Sequence, residues 1–387
     1  MKIGFTLVDL KPLKEVYKFG AGSRGALTKD LRDELTAKIM MIENDDGSLW
    51  VHMSLPFGNI FDETHLAIYA QGKAVLGKSF KLTTSCTHTH YSADLIQNKE
   101  YGGYCIASLA KALGTIELEE KKLYSCYQYR YFDEVGRIRI SGVNTKNLYL
   151  ETYSIYDEEK RLATYIVYNS HPTTINLKVD YMSGAGPAIL MKKLREAHPD
   201  EFFTYGMGAA GDISTRFTRT GQTYDDMLAL TDKVIAAVEA LRKNEVNLKK
   251  YPIERWAATE IQFPVKRGPR NMDEIDMSGE LTPRELETIE LAKTKHKNDD
   301  YTKLPTEIFL QKIVLGDHTF IYTPFELFSV YLECIDKDKA TLVNLGNGRA
   351  GYLSGPGKQK MSFEVIGETI PSESKVELMK QLEAWGH

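Results

Sequence analysis

Apolar runs of strand length recur from one end of the chain to the other. They are KIGFTLV from Lys2, SLWVHMSLPF from Ser48, SFKLTTSCTH from Ser79, LATYIVYNSH from Leu162, FFTYGMG from Phe202, EIFLQKIVL from Glu307, TFIYTPF from Thr319 and TLVNL from Thr341. Several are rich in Val, Ile, Thr, Tyr and Phe, which suit a pleated, half-buried surface. Gly316-Asp317, between two of the runs, predicts a tight hairpin turn. Between the strands the period changes. Residues 225–243 place Leu228, Val234, Ile235, Val238 and Leu241 at helical spacing, so these five are expected in the core. A second helix is predicted to open at Thr282 as N-cap, with Pro283 at the first helical position and Glu285 three residues on. It falls in the most polar part of the chain, about 266–303, read as a charged surface excursion. Strands mixed with helices throughout predict an α/β (mixed α+β) protein, a mixed β-sheet core with flanking helices. No boundary divides it, so residues 1–387 are read as a single domain.

Composition narrows the function classes. A hydrophobic share of 42% against 26% charged fits a globular protein with a large core. The net charge of −4 and the scattered Lys and Arg residues leave no nucleic-acid footprint. The start, MKIGFTLVDLKPLKEVYK, is charged early and has neither an apolar signal core nor a small-residue cleavage site. No apolar run is long enough for a membrane span. Cys86, Cys105, Cys126 and Cys334 form no C-x-x-C pair and are expected to be free thiols in a reducing, cytoplasmic setting.

Gly206-Met207-Gly208-Ala209-Ala210-Gly211 spells the dinucleotide fingerprint G-x-G-x-x-G. That motif needs a strand before it and a helix opening on its glycines. The strand is there, but Asp212 to Gly221 has no apolar stripe, and a helix waits until about Tyr224. GAGSRG at 20–25 matches the same pattern and fails the same test. Nucleotide binding is therefore not the reading; close approach of backbone to a site is.

Of nine histidines, His52, His65, His198, His296, His318 and His387 read as solvated or core residues. The others sit at strand ends. His88 and His90 close the run SFKLTTSC; in an extended chain, residues two apart share a face. His171-Pro172 closes LATYIVYNS. Asp212 and Ser214 follow FFTYGMG. Glu326 follows TFIYTPF, where a helix is expected to begin, and Tyr352 follows TLVNL and a glycine loop. Polar groups thus gather at the C-terminal ends of apolar strands, where α/β sheets bind ligands. Two histidines and a carboxylate suffice as protein ligands for a catalytic zinc.

The motifs CTHTH at 86–90, YNSHPTT at 168–174, GAAGDIST at 208–215, TPFELF at 323–328 and NGRAGYLS at 347–354 resemble those of the neutral (non-lysosomal) ceramidases. Their order and comparable spacing match that family's catalytic domain over nearly the whole chain. The resemblance implies one zinc held by His88, His171, Glu326 and Tyr352. It implies proton transfer by His90, Ser214 in an active-site wall, and a part for Tyr352 in stabilising the oxyanion. The implied reaction is hydrolysis of an amide, as of ceramide to a fatty acid and sphingosine, by zinc-activated water. The substrate would be a small-molecule or lipid-like acyl amide.

The chain departs from the family pattern in several places. Tyr91-Ser92-Ala93 stands where Ser-Gly-Pro is usual, and Thr215 stands where a proline follows the serine. Phe363 falls about where a family tyrosine is expected, and Arg137 and Arg139 are both candidates for its substrate-binding arginine. No counterpart of the family's C-terminal immunoglobulin-like domain is read here. Three other readings stay open: an esterase or amidase on a small non-lipid substrate, an inactive relative that binds metal or a small ligand, and a serine hydrolase using Ser214. The last lacks the G-x-S-x-G elbow.

Overall fold

The computed structural model describes residues 1–19, 27–139, 146–269, 271–278, 286–287, 289–291, 293–294 and 304–387. Its α/β core is divided among three mixed sheets. The first runs 81–86, 49–55, 36–43, 2–9 and 119–120 in spatial order. The second runs 202–207, 161–168, 149–156, 123–131 and 251–253, and the third 256–264, 307–315, 318–322 and 340–343. Each sheet is antiparallel except for one parallel pair at its edge. These pairs are 49–55 with 81–86, 161–168 with 202–207, and 318–322 with 340–343.

The period of two decides what each face does. Along Thr36–Glu43, Met40 and Ile42 point into a core shared with Tyr153, Ile155 and Tyr165 of the second sheet and Ile313, Leu315 and Phe320 of the third. Ile39 and Met41 point the other way and pack with Ile68, Leu109 and Leu113, from the helices Asp62–Leu76 and Lys99–Leu113. The outer face of the second sheet is covered by Ala185–Ala197 and Tyr224–Asn244, through Leu190, Leu194, Leu230, Val234 and Val238. The C-terminal helix Ser372–Gly386 brings Leu378, Leu382 and Trp385 to the third.

The Gly316-Asp317 hairpin is present: Leu315 pairs with His318 and Gly316 takes φ +65°. The helix predicted over 225–243 spans Tyr224–Asn244 behind a capping box at Thr223. Its buried stripe is rotated slightly from the expected one. Met227, Leu230, Val234, Val238 and Leu241 are buried, while Leu228 and Ile235 are only half-buried. The capping box at Thr282 and the stretch GAGSRG lie outside the described residues. The charged excursion reaches inward: Ile275 and Ile289 are buried with Phe328, Met361, Val365 and Ile366. All four cysteines are buried and unpaired. Among the described residues, no helix is long and apolar enough to cross a membrane.

Candidate metal centre

The three parallel edge pairs end close together, and the segment 344–347 ties them. Asn344 N–H donates to Met207 O at 2.8 Å, Gly346 N–H to Thr323 O at 2.8 Å, and Asn347 N–H to Thr84 O at 2.8 Å. Past those ends the sequence-predicted groups converge. His88 follows the strand ending at Cys86, and His171 the strand ending at Tyr168. Glu326 and Tyr352 arrive differently. They are register partners in a separate two-stranded parallel sheet, Phe325–Leu327 with Gly351–Leu353. The helix expected at Glu326 is therefore a short strand, because Thr323-Pro324 breaks the preceding ladder and Phe325–Leu327 finds a new partner; a 3-10 turn follows from Ser329.

His88 and His90 do not share a face by strand alternation. His88 has φ +60°, in the left-handed region that non-glycine residues seldom occupy. This turn folds the chain so that the two Nε2 atoms lie 3.2 Å apart. Such strain concentrates at functional sites, where the surroundings hold it. Here the hold is two hydrogen bonds: His88 N–H to Phe57 O at 3.0 Å and Nδ1–H to Gly58 O at 2.5 Å.

The hydrogen bonds fix the protons on the imidazoles. A carbonyl only accepts, so Nδ1 of His88 carries the hydrogen it gives to Gly58 O. His171 Nδ1–H likewise faces Ala210 O at 2.7 Å and Ile213 O at 3.1 Å. In the neutral rings both Nε2 atoms are then bare acceptors. They point at a third acceptor, Glu326 Oε2, 3.2 Å from His88 Nε2 and 3.1 Å from His171 Nε2. The Tyr352 hydroxyl stands 3.3 Å from His171 Nε2. The Tyr352 hydroxyl and the His90 ring are the donors in reach of these atoms; between the three acceptors themselves the lone pairs repel, and a cation among them would relieve that. Burial pushes His171 down to about 4, so a proton is a poor candidate for that cation near neutrality. Burial by itself would raise the Glu326 carboxyl; it lies well below the usual range only where positive charge stands beside it at His88 and His171. Tetrahedral zinc with bonds of 2.0–2.2 Å has ligand–ligand edges of about 3.4 Å, close to the separations found. The donor set fits.

His88, His90 and His171 together form a cluster that can hold a metal ion. His90 differs from the other two. Its Nδ1 is buried without a hydrogen-bond partner, and its ring meets the edge of Phe19 at 5.5 Å. Burial, then the neighbouring imidazoles, push it well below its ordinary pKa.

The glycine-rich loop forms the wall beside Glu326. Gly211 N–H donates to Leu327 O at 2.7 Å, and a Cβ on Gly211 would stand 2.4 Å from Glu326 O. Asp212 accepts from Ser329 N at 2.7 Å and Ser329 Oγ at 2.9 Å; burial pushes its carboxyl up to about 6 against those bonds. No helix opens on these glycines: Ile213–Ser214 is a two-residue strand, and the next helix begins at Tyr224. Ser214 Oγ accepts from Arg216 N at 3.2 Å, and among the described residues no imidazole hydrogen-bonds it.

Of the two arginine candidates, Arg139 belongs to the site and Arg137 does not. Arg139 is ion-paired with Glu364 and lies 5.8 Å from the centre of the Tyr352 ring. Arg137 is mostly exposed, near Asp133. Phe363 is 63% exposed at the start of a short helix, so Glu364, one residue on, is what that segment contributes. His52, His65 and His318 are buried away from the cluster and His198 pairs with Glu239; His296 lies outside the described residues.

Two solved structures match this arrangement of strands and helices over 100% of the chain. One is a ceramidase complexed with C2, with a TM-score of 0.77, 12% identity and 74% of that chain covered. The other is the neutral ceramidase of Pseudomonas aeruginosa, with a TM-score of 0.74, 13% identity and 74% covered. The chain has a neutral-ceramidase-like fold. No family model and no curated protein sequence matches it. At 12–13% identity the likeness is one of fold, in the layering of sheets and helices.

Proposed function

We propose that this chain is a zinc-dependent hydrolase of an amide bond in a small-molecule or lipid-like acyl-amide substrate. In this reading His88, His171, Glu326 and Tyr352 hold the metal and His90 moves the proton. The observation that carries it is the meeting of two bare Nε2 atoms and a carboxylate oxygen at 3.1–3.2 Å, with both Nδ1 atoms committed to carbonyls. The ceramidase-like fold supports it, and two structural neighbours that are themselves ceramidases bring ceramide-type amides to the head of the substrate list.

Zinc held by these residues would supply Lewis-acid polarisation of the scissile carbonyl and a water acidic enough to react at neutral pH. The chain's own groups do the rest. His90, with Nε2 3.2 Å from His88 Nε2 and Nδ1 without a partner, is the imidazole beside the ligands that would take up a proton and return it to the leaving nitrogen. The Tyr352 hydroxyl, 3.3 Å from His171 Nε2, would join the ligand set and stand beside a carbonyl oxygen bound there. The Arg139 guanidinium behind the Tyr352 ring favours negative charge building on that oxygen. Ser214 lines the wall formed by the glycine loop. The four unpaired cysteines support a reducing, cytoplasmic setting.

The test is a panel running from ceramide to short acyl amides, with matched esters. The expected result is amide turnover lost in both Glu326→Ala and His171→Ala. Turnover that survives Glu326→Ala, or preference for esters throughout, would overturn the assignment.

A further inference from the structure

The C-terminal helix carries a buried charge that packing alone does not require. Lys375 and Glu368 form an ion pair at 2.5 Å, both side chains fully buried. Lys375 Nζ also lies 3.4 Å from Gly355 O, and both side chains reach Ser354. Its Oγ lies 2.9 Å from Lys375 Nζ and 2.9 Å from Glu368 Oε2. Its backbone N–H donates to Glu368 Oε1, and its carbonyl accepts from Tyr331 OH at 3.0 Å. Every polar group of Ser354 is therefore held.

Ser354 follows Gly351–Leu353 directly, two residues after Tyr352. That strand pairs with Phe325–Leu327, setting Tyr352 opposite Glu326, and Phe328 N–H donates to Leu353 O at 3.0 Å. A three-residue strand in a two-stranded sheet has little strength of its own. Replacing a buried ion pair by apolar groups of similar size often leaves a fold no less stable, so such a pair is a weak stability device. What this pair does supply is a fixed position for the strand that carries Tyr352.

We infer that Lys375 and Glu368 are positioning residues for the metal centre, acting through Ser354 on Tyr352. The inference rests on the reading of Tyr352 as a metal ligand. Groups behind the ligands of a metal site typically change affinity by about 10–100-fold when removed.

Lys375→Met alone would leave the buried Glu368 charge without its lysine, so the variant to make is Lys375→Met with Glu368→Leu. Two readouts are taken. The first is the Tyr352 signal in the ¹³C-tyrosine spectrum of the metal-free protein, assigned with Tyr352→Phe. The second is zinc affinity by competition with a chelator, in the wild-type and Tyr352→Phe backgrounds. The control is Arg242→Met with Glu201→Leu, a buried pair bonded to Thr164, in the middle of the Arg161–Tyr168 strand and seven residues before His171.

The expected result is a shifted or broadened Tyr352 signal and zinc binding about 10–100-fold weaker. No further loss is expected when Tyr352 is already Phe, because the two changes act through one group. The control pair should leave both readouts unchanged. An unaltered Tyr352 signal, or an equal loss of affinity in both backgrounds, overturns the inference. A wild-type chain that takes up no zinc while the Tyr352 signal still responds would sink the metal reading and leave the positioning role standing.

Discussion

Gly211→Ala is the sharpest local test, because one methyl group reads out the contact between the glycine loop and Glu326. The added Cβ would stand 2.4 Å from Glu326 O, 2.8 Å from Phe328 Cδ1 and 3.0 Å from Leu327 C. Ordinary carbon–oxygen contact lies nearer 3.4 Å, so about 1 Å must be absorbed, much of it by backbone. The two segments cannot separate freely, since Gly211 N–H is bonded to Leu327 O at 2.7 Å. Overpacking of this kind costs about 1–3 kcal/mol. It also displaces the carboxylate, and a shift of about 1 Å at a reacting centre can cost about 100-fold in rate. The comparison is Gly103→Ala, in the middle of Lys99–Leu113 with nothing within 4 Å of its Cβ. There alanine should stabilise by about 0.5–1 kcal/mol. Thermal midpoints and zinc affinities of both variants decide the matter. Gly211→Ala should melt below wild type and bind zinc more weakly, while Gly103→Ala should melt at or above wild type with unchanged affinity. A Gly211→Ala protein with wild-type stability and affinity would refute the argument.

Three further predictions concern other parts of the molecule. Glu326→Gln should weaken zinc binding at least about 100-fold, measured against a chelator, since it neutralises the carboxylate ligand itself and not merely a group behind one. His52 is buried with neither ring nitrogen hydrogen-bonded, and burial pushes its pKa down to about 3. The unfolded chain takes up that proton near 6.5, so it binds more protons below that pH and stability falls as pH drops. His52 should account for about 2 kcal/mol of the loss between pH 7 and pH 5. His52→Phe should flatten the dependence of the melting temperature on pH, and an unchanged slope would count against this. Thr223→Ala removes a capping box with both reciprocal bonds formed, and its expected cost is about 1 kcal/mol in a melting experiment.

The parts of the fold that were legible in the sequence are those with local signatures. The hairpin at Gly316 carries its turn residues, and the helix from Tyr224 carries an apolar stripe, rotated slightly from the expected positions; its cap at Thr223 went unread. Thr36–Glu43 was harder to read because it is buried on both faces, so its polar and apolar positions do not alternate. The helix Asp62–Leu76 fully buries only His65, Ile68 and Gly72, too narrow a stripe to stand out. At the site, residue types were legible but their geometry was not. The left-handed turn at His88 and the parallel strand pair that sets Glu326 beside Tyr352 both depend on tertiary contacts. Arg139 could not be told from Arg137, since only burial against Glu364 separates them. The hydrogen-bonded network of Ser354, Glu368 and Lys375 had no sequence signal.

The central claim is that the acceptor atoms of His88, His171 and Glu326 converge on a metal. Elemental mass spectrometry of wild type and His171→Ala, purified without chelator, tests it most directly. The account predicts about one zinc per chain in wild type and almost none in the variant. No metal in either protein, and none taken up on titration with zinc, would contradict it.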